Sequence, residues 1–538
     1  MGTGISCTAC AYPPAGRAQR SLWRPRLPLA PGGALRHIRQ RTAGEKNVPR
    51  LQDLCAEALA RATDRPAIQF EGHWHTWGDC ARLSNELGIA LDQGDITSGA
   101  AVVLVARNRP SAIAALLGLL ARGHSVQMVY PFQSGEGVAR YIDRFVPAAV
   151  VADAQDFGSE VRASLGTHGI AGIALDGMAA TALTGFEHSA SHQPASDQPR
   201  IEILTSGTTG PPKSFPIPFA MLETHFLATP LTRMQGTDPE SLPPFLLYFP
   251  LGNISGVYST LPTLLRGQRV ELLERFSVQA WREHVVRWRP AHSGLPPSFV
   301  QAVIDADVPR EDLASIKVMG VGAAPLDPAV QAAFEDKYGI PILVSYGATE
   351  FAGPVAMMTA DMHRTFGRAK LGTVGRALPG AKLRVVDAAS GVACPAGAEG
   401  LLEVVSPRIG PDWIRTSDLA MIDADGFLFL RGRADGAIMR GGFKVLPETI
   451  ERALVLHPAV AEAGVVGVPD ARLGAVPGAA LVLRAGVTPP PIAEFESHLR
   501  RHVLATHIPV HWRLMPELPR TPSLKVDRKS LESAFATD

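Results

Sequence analysis

The sequence predicts an α/β protein with two globular domains, a large N-terminal domain of layered α/β sheets and a smaller α+β C-terminal domain. At 538 residues the chain is too long for one ordinary hydrophobic core. Between residues 101 and 152, short apolar runs alternate with helical patterns, which is typical of a sheet covered by helices. After Asp435 the apolar spacing changes to short strands and two helices. We therefore predict one domain over residues 48–434 and a second over residues 435–538.

Residues 1–47 precede the first globular pattern. Residues 1–44 are rich in arginine and contain no acidic residue, so we expect a disordered tail that buries little apolar surface. The composition is also compatible with an organelle transit peptide, and Met1, Gly2 and Ser6 fit the N-myristoylation pattern. The tail and the targeting interpretations both remain open.

The overall charge and the cysteine content restrict the class of protein. Lys and Arg number 52 and Asp and Glu number 51, a net charge of +1, so nothing in the balance indicates a nucleic-acid or anionic-membrane partner. Five cysteines are sparse and odd in number, which favours a reducing cytoplasm over a disulfide framework. The longest apolar run, Ala112 to Ala121, is about half the length that spans a bilayer. We expect a cytoplasmic protein.

The elements of the N-terminal part follow from hydrophobic periodicity and turn residues. In chain order we predict a helix over Leu51–Ala62, a hairpin over Ala67–Thr76, a helix over Trp77–Asp92, a strand over Ala101–Ala106, a helix over Ser111–Arg122, strands over Ser125–Val129 and Ala148–Ala152, and a loop over Ser189–Arg200.

The stretch ILTSGTTGPPKS, residues 203–214, begins in a predicted buried strand over Ile201–Leu204 and continues as a loop rich in hydroxyl groups and glycines. Glycines allow the backbone to approach a phosphate, and hydroxyls and a lysine supply donors and charge. Pro211 and Pro212 precede the lysine, so this is not a Walker A loop. A plain polar surface loop is the alternative to anion binding. The candidate phosphate-binding residues are Thr205, Ser206, Gly207, Thr208, Thr209, Gly210 and Lys213.

Two further predicted strands, Ile316–Val321 and Ile342–Val344, also run into loops of small or polar residues. Ligands of open α/β sheets bind beyond the carboxyl ends of strands, so the three loops could form one nucleotide site. Small side chains leave room for a flat base, a tyrosine offers a stacking face, and Thr and Glu suit phosphate and Mg²⁺. A surface Thr-Glu pair would look the same. The candidates are Gly322, Ala323, Ala324, Tyr346, Gly347, Thr349 and Glu350, the last as metal ligand.

Together these motifs resemble, in their order, those of the acyl-adenylate-forming superfamily, which includes acyl-CoA and aryl-CoA ligases, peptide-synthetase adenylation domains and firefly luciferase. The resemblance covers about residues 48 to 535. It implies a small distorted β-barrel that completes the large domain, entered at residues 372–380, and a mobile C-terminal domain with its hinge at Asp435. It also implies that Asp418 and Arg433 hold the ribose of ATP; a structural salt bridge between them is the alternative.

The activity implied by the resemblance is ATP-dependent ligation of a carboxylic acid to a thiol, with ATP, Mg²⁺ and coenzyme A as partners. Lys525 would be catalytic, together with Thr349 and Glu350. Gly441 and Gly442 would line the thiol channel, although they also fit a hairpin turn. Leu524 stands where the family usually has glycine, which restricts the backbone before the lysine.

The stretch YFPLGNISG, residues 248–256, resembles the acid pocket of the family, with Asn253, Ser255 and Gly256 as candidate pocket residues. Asn253 stands where the family often has an aromatic residue or histidine. No acidic residue occurs between Tyr248 and Glu271, so we expect an acid without an α-amino group, most simply a fatty or aryl acid. Ordinary packing at a helix start is the alternative for these residues.

Two alternatives to this activity remain open. The first is an enzyme that loads an acyl carrier protein through its phosphopantetheine arm instead of free coenzyme A. The second belongs to another class, a degenerate acyl-adenylate or nucleotide sensor, and is suggested by Asn253 and Leu524.

Overall fold

The computed structural model describes residues 50–131, 134–190, 198–205, 213–227, 238–434, 436–440, 443–470, 473–521 and 525–536. Its strands, in chain order, are β1 (Pro66–Phe70), β2 (His73–Thr76), β3 (Ala101–Val105), β4 (Ser125–Val129), β5 (Ala149–Asp153), β6 (Ala171–Asp176), β7 (Ala179–Ala182), β8 (Arg200–Thr205), β9 (Lys213–Pro218), β10 (Phe245–Leu247), β11 (Val270–Leu272), β12 (His292–Leu295), β13 (Val318–Val321), β14 (Ile342–Ala348), β15 (Gly353–Met357), β16 (Arg376–Ala377), β17 (Lys382–Val386), β18 (Glu399–Val405), β19 (Ile414–Ile422), β20 (Leu428–Arg433), β21 (Ile438–Arg440), β22 (Phe443–Val445), β23 (Val460–Asp470), β24 (Gly474–Leu483) and β25 (His511–Leu514).

The α-helices of the same ranges are α1 (Leu51–Leu59), α2 (Trp77–Gln93), α3 (Pro110–Ala121), α4 (Gly135–Phe145), α5 (Ser159–His168), α6 (Phe219–Leu222), α7 (Ile254–Leu265), α8 (Val278–Trp288), α9 (Pro297–Asp305), α10 (Arg310–Leu313), α11 (Pro328–Tyr338), α12 (Ala360–Phe366), α13 (Pro447–Val455), α14 (Ile492–Leu499) and α15 (Arg528–Ala536). None of these described helices is long and apolar enough to cross a membrane.

A seven-stranded sheet in the order β7-β6-β5-β3-β4-β8-β9 forms the first half of the chain. Its five central strands are parallel, and β7 and β9 add antiparallel edges. Helix α3 is apolar on every side and nearly all of its residues are buried, as expected for a helix enclosed between layers. The predicted alternation of strands and helices over residues 101–152 is confirmed.

A second, five-stranded sheet has the order β12-β13-β14-β15-β16. Strands β12, β13 and β14 are parallel, whereas β15 and β16 pair antiparallel. Val321 of β13 pairs with Val344 of β14, so the segments that follow these two residues start side by side. A further four-stranded sheet has the order β10-β11-β1-β2, and among the described residues none of its strands pairs with a strand of the five-stranded sheet.

The resemblance implied a small distorted β-barrel, and this prediction is wrong for the part of the chain that the structure describes. Strands β17 to β20 form an open antiparallel sheet in sequential order, and none of the described sheets closes. Four strands are too few to close around a filled interior. The sheet instead buries one apolar face in the core of the five-stranded sheet, through Val385, Leu402, Val404, Ala420 and Leu428.

The C-terminal part combines helices with a sheet of order β22-β21-β24-β23, to which β25 adds in parallel beside β24. Helices α13 and α14 pack on this sheet through a separate apolar core that includes Ile450, Leu454, Phe495 and Leu499. The α+β character predicted for this part is therefore confirmed. Asp435 lies outside the described residues, and the hinge at that position stays a prediction.

Candidate active site

The segments after β13 and β14 lie next to each other, as the sequence predicted. A Cβ atom added to Gly322 would lie 2.5 Å from Ser345 Oγ, so a glycine is needed for these segments to approach so closely. Ala323 follows with φ at +70°, in the left-handed region that non-glycine residues rarely adopt. The backbone at the candidate base-binding segment is therefore strained, a feature that often accompanies functional sites.

The sequence predicted that YGATE is a loop from its start, and this prediction is wrong. Strand β14 continues through Ala348, with an irregularity between Tyr346 and Gly347, and only Thr349–Phe351 forms a short 3₁₀ turn. A Cβ on Gly347 would lie 2.5 Å from the carbonyl oxygen of Gly353 in the partner strand. The small residues that suggested a loop are therefore small because β15 passes close to them. Glu350 is exposed at the end of this hairpin.

Tyr346, Asp418 and Arg433 meet although they are far apart in sequence. Asp418 of β19 is the register partner of Arg433 of β20, and Arg433 Nη1 lies 3.8 Å from Asp418 Oδ1. The hydroxyl of Tyr346 donates a hydrogen bond to Asp418 Oδ2. Burial, and then the charge of Asp418, raise the pKa of Tyr346, so it remains a neutral donor. The sequence predicted the Asp418–Arg433 pair but carries no signal for the bond to Tyr346.

Lys525 of the C-terminal part lies within electrostatic reach of these residues. Burial lowers its pKa most, Arg433 lowers it further, and Asp418 and Glu350 act in the opposite direction. Its side chain nevertheless retains contact with solvent. Water therefore reaches the ammonium group although neighbouring residues affect its pKa. The structure thus brings together Glu350, Asp418, Arg433 and Lys525.

The backbone around Lys525 is fixed by the C-terminal sheet. The amide of Thr521 donates to the carbonyl of Lys525 at 2.7 Å, and the amide of Asp527 donates to Pro519 at 2.8 Å. Three residues after the lysine, Arg528 bonds the carbonyl of Val465 at 2.6 Å.

Arg528 also connects the Lys525 segment to the strand that carries Arg433. Its Nη2 atom lies 3.1 Å from Glu448 Oε1. The other oxygen of Glu448 would be 2.8 Å from a Cβ on Gly432, the residue before Arg433. Glu448 therefore contacts both the segment of Lys525 and the strand of Arg433.

Several predicted site residues lie outside the described part of the chain: Ser206, Gly207, Thr208, Thr209, Gly210, Asp435, Gly441 and Gly442. For the first of these segments the flanking backbone is described. Thr205 of β8 pairs with Lys213 of β9, so residues 206–212 connect two neighbouring antiparallel strands. The phosphate contacts assigned to this loop stay predictions.

The predicted acid-pocket residues form the start of helix α7. Asn253 is the N-cap residue, and its Oδ1 accepts a hydrogen bond from the amide of Gly256 at 2.7 Å. A Cβ on Gly256 would lie 2.1 Å from the carbonyl oxygen of Pro250. The carbonyl of Ser255 accepts from the hydroxyl of Ser259 at 2.7 Å. Helix capping thus explains Asn253 in full, and contact of these residues with the acid stays a prediction.

The residues at the site fit ATP and Mg²⁺. In the described ranges no group of three His, Cys, Asp or Glu residues could hold a metal ion by itself. Mg²⁺ characteristically uses one or two carboxylates together with substrate phosphates, which a single exposed Glu350 can provide. Asp418 presents a carboxylate for hydroxyl groups, and Arg433 and Lys525 present cations for phosphate.

Comparison with known proteins identifies the family. The family model described as AMP-binding enzyme matches residues 55–411, and that of the AMP-binding enzyme C-terminal domain matches residues 449–525. Sulfoacetate–CoA ligase of Cupriavidus necator is 29% identical over 510 residues, which cover 89% of this chain and 97% of the relative. 4-Coumarate–CoA ligase 3 of Oryza sativa subsp. japonica is 26% identical over 532 residues, 90% of this chain and 92% of the relative.

The fold is similar to that of o-succinylbenzoate coenzyme A synthetase of Bacillus subtilis in complex with ATP and magnesium, with a TM-score of 0.71 and 22% identity over 89% of this chain and 99% of that one. The comparisons confirm the predicted class of fold and the reaction class of an AMP-forming acid–thiol ligase. The chain belongs to the AMP-binding enzyme family.

Proposed function

We propose that this site joins a fatty or aryl carboxylic acid to coenzyme A through an acyl-adenylate, with Lys525 as the catalytic cation. The observation that carries the proposal is the position of Lys525, whose pKa responds to Arg433, Asp418 and Glu350 of the large part. Asp418 and Arg433 are the residues predicted to hold the ribose, and Glu350 is the residue predicted to hold Mg²⁺. A lysine from the C-terminal part therefore lies near the polar groups of the predicted nucleotide site.

In the first step the carboxylate oxygen forms a bond to the α-phosphorus of ATP, and the bond from that phosphorus to the bridging oxygen breaks to release pyrophosphate. In the second step the thiol attacks the acyl carbon, AMP leaves, and the thiol proton passes to solvent. Both reactants of the first step are anions, so catalysis depends on position and on neutralising charge. At ~4 Å and an effective dielectric of ~20, Lys525 would supply roughly 4 kcal/mol before desolvation is counted.

The other residues bind and orient the substrates. Residues Thr205 to Gly210 and Lys213 hold the β- and γ-phosphates, and Gly322, Ala323, Ala324, Tyr346 and Gly347 surround the base. Asp418, oriented by Tyr346, accepts hydrogen bonds from the ribose hydroxyls beside Arg433. Thr349 contacts phosphate and Glu350 holds Mg²⁺, which supplies positive charge at the phosphate oxygens.

Coenzyme A is the acceptor that the charges favour over a carrier-protein arm. An open depression of the surface is lined by Arg500, Arg501, His502 and His507, among others. It lies beside Arg440, whose Nη1 donates to the carbonyl oxygens of Thr506 and Ile508. Arg440 immediately precedes the glycine pair assigned to the thiol channel. Free coenzyme A carries several phosphate charges, whereas a protein-bound arm carries one phosphodiester.

Acid-dependent exchange of labelled pyrophosphate into ATP, measured over a broad panel of acids, tests the adenylation step. Exchange with at least one acid is expected, and no exchange with any acid would favour the sensor alternative. Comparing coenzyme A with a phosphopantetheinylated carrier protein then identifies the acceptor; faster transfer to the carrier would overturn the choice of coenzyme A. We place the enzyme in the cytoplasm, where its free cysteines Cys55, Cys80 and Cys394 would stay reduced.

A further inference from the structure

An arginine without a carboxylate partner lies beside the hairpin that carries the candidate site. Arg408 Nη2 donates to the carbonyl oxygen of Pro354, and its guanidinium carbon lies 5.7 Å from the centre of the Phe226 ring. Its Nε is buried and makes no hydrogen bond to any described residue. Among the residues that the structure describes, no Asp or Glu pairs with it. Arg408 as a whole is only partly exposed, and a partly buried cation is more favourable when an anion or a full set of acceptors faces it.

The position of Arg408 links it to the adenylating residues. Pro354, which accepts its hydrogen bond, is the register partner of Gly347 in the YGATE stretch. Paired residues of antiparallel strands are about 5 Å apart, a carbonyl oxygen lies about 2.4 Å from its Cα atom and a hydrogen bond adds about 3 Å, so the guanidinium lies within roughly 10 Å of Gly347. A small acid can span such a distance.

Aromatic rings connect Arg408 to helix α7. The rings of Phe226 and Tyr258 lie 3.8 Å apart, and the Tyr258 hydroxyl donates to the carbonyl of Ala352 at 3.1 Å. A Cβ on Gly353 would be 2.8 Å from the Tyr258 ring, so glycine at this position leaves room for the ring. Tyr258 follows the predicted acid-pocket residues by one helical turn. The Phe226 and Tyr258 rings would give an aromatic surface on which the body of an aryl or short aliphatic acid can pack.

The charges around Arg408 leave it uncompensated. Burial lowers the pKa of Arg408, with Tyr258 the other group that affects it. Burial, and then the positive charge of Arg408, lower the pKa of His225, the residue before Phe226. Two basic side chains therefore face this region, and the charge of Arg408 favours the neutral form of the histidine. A bound anion would relieve both effects.

We propose that the acid substrate carries a second anionic group, a carboxylate or a sulfonate, which Arg408 binds while the reacting carboxylate lies at the YGATE hairpin. The inference rests on the proposed function and narrows its substrate class. Arginine suits such a group because its planar donors match two oxygens at once. The neutral His225 can donate a further hydrogen bond to the same group. The sequence analysis did not find Arg408, because a lone arginine after a strand has no distinguishing pattern.

Matched pairs of acids test the proposal, since each pair differs only in the distal anion. Suitable pairs are butanoate with succinate, 3-phenylpropanoate with 3-(4-carboxyphenyl)propanoate, and propanoate with 3-sulfopropanoate. The readout is kcat/KM for acid-dependent release of pyrophosphate, together with the affinity of each acid for the enzyme measured by calorimetry with a non-hydrolysable ATP analogue. In at least one pair, the dianionic member is expected to be preferred about 10- to 100-fold, the range for one charge-assisted hydrogen bond.

Variants of Arg408 separate recognition from structure. Arg408→Gln should abolish the preference within the pair and change use of the monocarboxylate little, and Arg408→Lys should restore part of it. Arg408→Glu should reverse it, favouring 4-aminobutanoate over succinate. Arg376→Gln is the matched control. Like Arg408, Arg376 stacks on an aromatic ring, 4.4 Å from the centre of Phe427, and has a buried Nε without a hydrogen bond to any described residue. Unlike Arg408, it lies opposite Met357 at the far end of β15. Arg376→Gln should leave the preference unchanged.

Three outcomes can be distinguished. A distal anion that raises kcat/KM in the wild type and not in Arg408→Gln supports the proposal. The proposal would be overturned if the wild type used both members of every pair equally. It would also be overturned if Arg408→Gln and Arg408→Lys lost the same fraction of kcat/KM on both members, and Arg408 would then only hold Pro354 in place. No turnover with any acid would instead contradict the proposed function itself. Thermal unfolding of each variant shows whether a loss of activity reflects a loss of fold.

Discussion

Tyr346 donates its hydroxyl hydrogen bond to Asp418, and so ties the hairpin of the YGATE stretch to the sheet that presents the predicted ribose-binding acid. One carboxylate oxygen is thereby occupied, and the other faces Arg433 at 3.8 Å. The tyrosine consequently orients the aspartate, in addition to the predicted stacking of its ring on the base.

Tyr346→Phe removes this donor and keeps the ring. Because the bond involves a charged acceptor, we expect a loss of about 1.5 to 3 kcal/mol in the free energy of unfolding, together with a higher KM for ATP. Urea denaturation and steady-state kinetics measure the two effects. Tyr338→Phe is the control, since Tyr338 donates to the neutral carbonyl of Val303 at 3.1 Å and should lower stability without changing the KM for ATP. An unchanged KM in Tyr346→Phe would contradict the orienting role.

Lys525→Ala should slow adenylation by about two to three orders of magnitude, as expected when one preorganised electrostatic group is removed. Transfer of a supplied acyl-adenylate to coenzyme A should continue, because that step makes no bond to the α-phosphorus. Rapid-quench measurement of both half-reactions separates them. Lys529→Ala, at an exposed lysine of the same segment, should change either rate by about twofold at most. Normal adenylation in Lys525→Ala would refute the assigned role.

The pH dependence of adenylation should respond to the neighbours of Lys525 with opposite signs. Arg433 lowers the pKa of Lys525 and Asp418 raises it. If the protonated lysine is the active form, activity is lost as pH rises through its pKa. Arg433→Gln should therefore move the alkaline limb of kcat/KM for ATP to higher pH, and Asp418→Asn should move it to lower pH. Shifts in the same direction for both variants would show that another group governs this limb.

Asn253→Ala should destabilise the protein by about 1 kcal/mol through loss of the α7 cap, and Asn253→Asp should keep most of the stability. The preference among acids should remain that of the wild type, because the Asn253 side chain is engaged by the Gly256 amide. Equilibrium unfolding and a kinetic panel of acids provide the two measurements. A changed acid preference at unaltered stability would instead place Asn253 in contact with the substrate.

Ala323→Gly should leave the protein equally stable or stabilise it by up to about 1 kcal/mol, since relief of left-handed strain of about 1–2 kcal/mol exceeds the entropic cost of glycine of about 0.5–1 kcal/mol. Ala324→Gly has no such strain to relieve and should only destabilise. The midpoint of thermal unfolding compares the two variants. Equal destabilisation by both would contradict the strain at Ala323.

The sequence predicted those elements whose limits depend on local pattern. Strand β4 was predicted at Ser125–Val129, as observed, because a short apolar run there is bounded by Gly123 and Pro131. Local sequence pattern also predicted the fold class, the nucleotide motifs and their order along the chain. The connection of Tyr346 to Asp418 was not, since it depends on how two sheets pack.

One error and one open assignment have a common physical origin. The glycine and alanine of YGATE favoured a loop, which is wrong, since the glycine allows the close approach of Gly353 and Pro354 across the hairpin. Asn253 was assigned to the acid pocket, which stays a prediction, and its side chain accepts a hydrogen bond from the backbone three residues ahead. In both cases a residue type that suits ligand contact equally suits a backbone contact, and sequence alone does not separate the two.

Glu448 contacts both the arginine that follows Lys525 and the glycine that precedes Arg433. One carboxylate therefore lies between the segment that carries Lys525 and the strand that carries Arg433. If the C-terminal part moved away, Lys525 would leave the site and Glu448 would leave Gly432 in a single event, while Asp418 kept its bond to Tyr346. Nucleotide binding and activation of its α-phosphate would then be under separate control, so that ATP could be retained without being consumed.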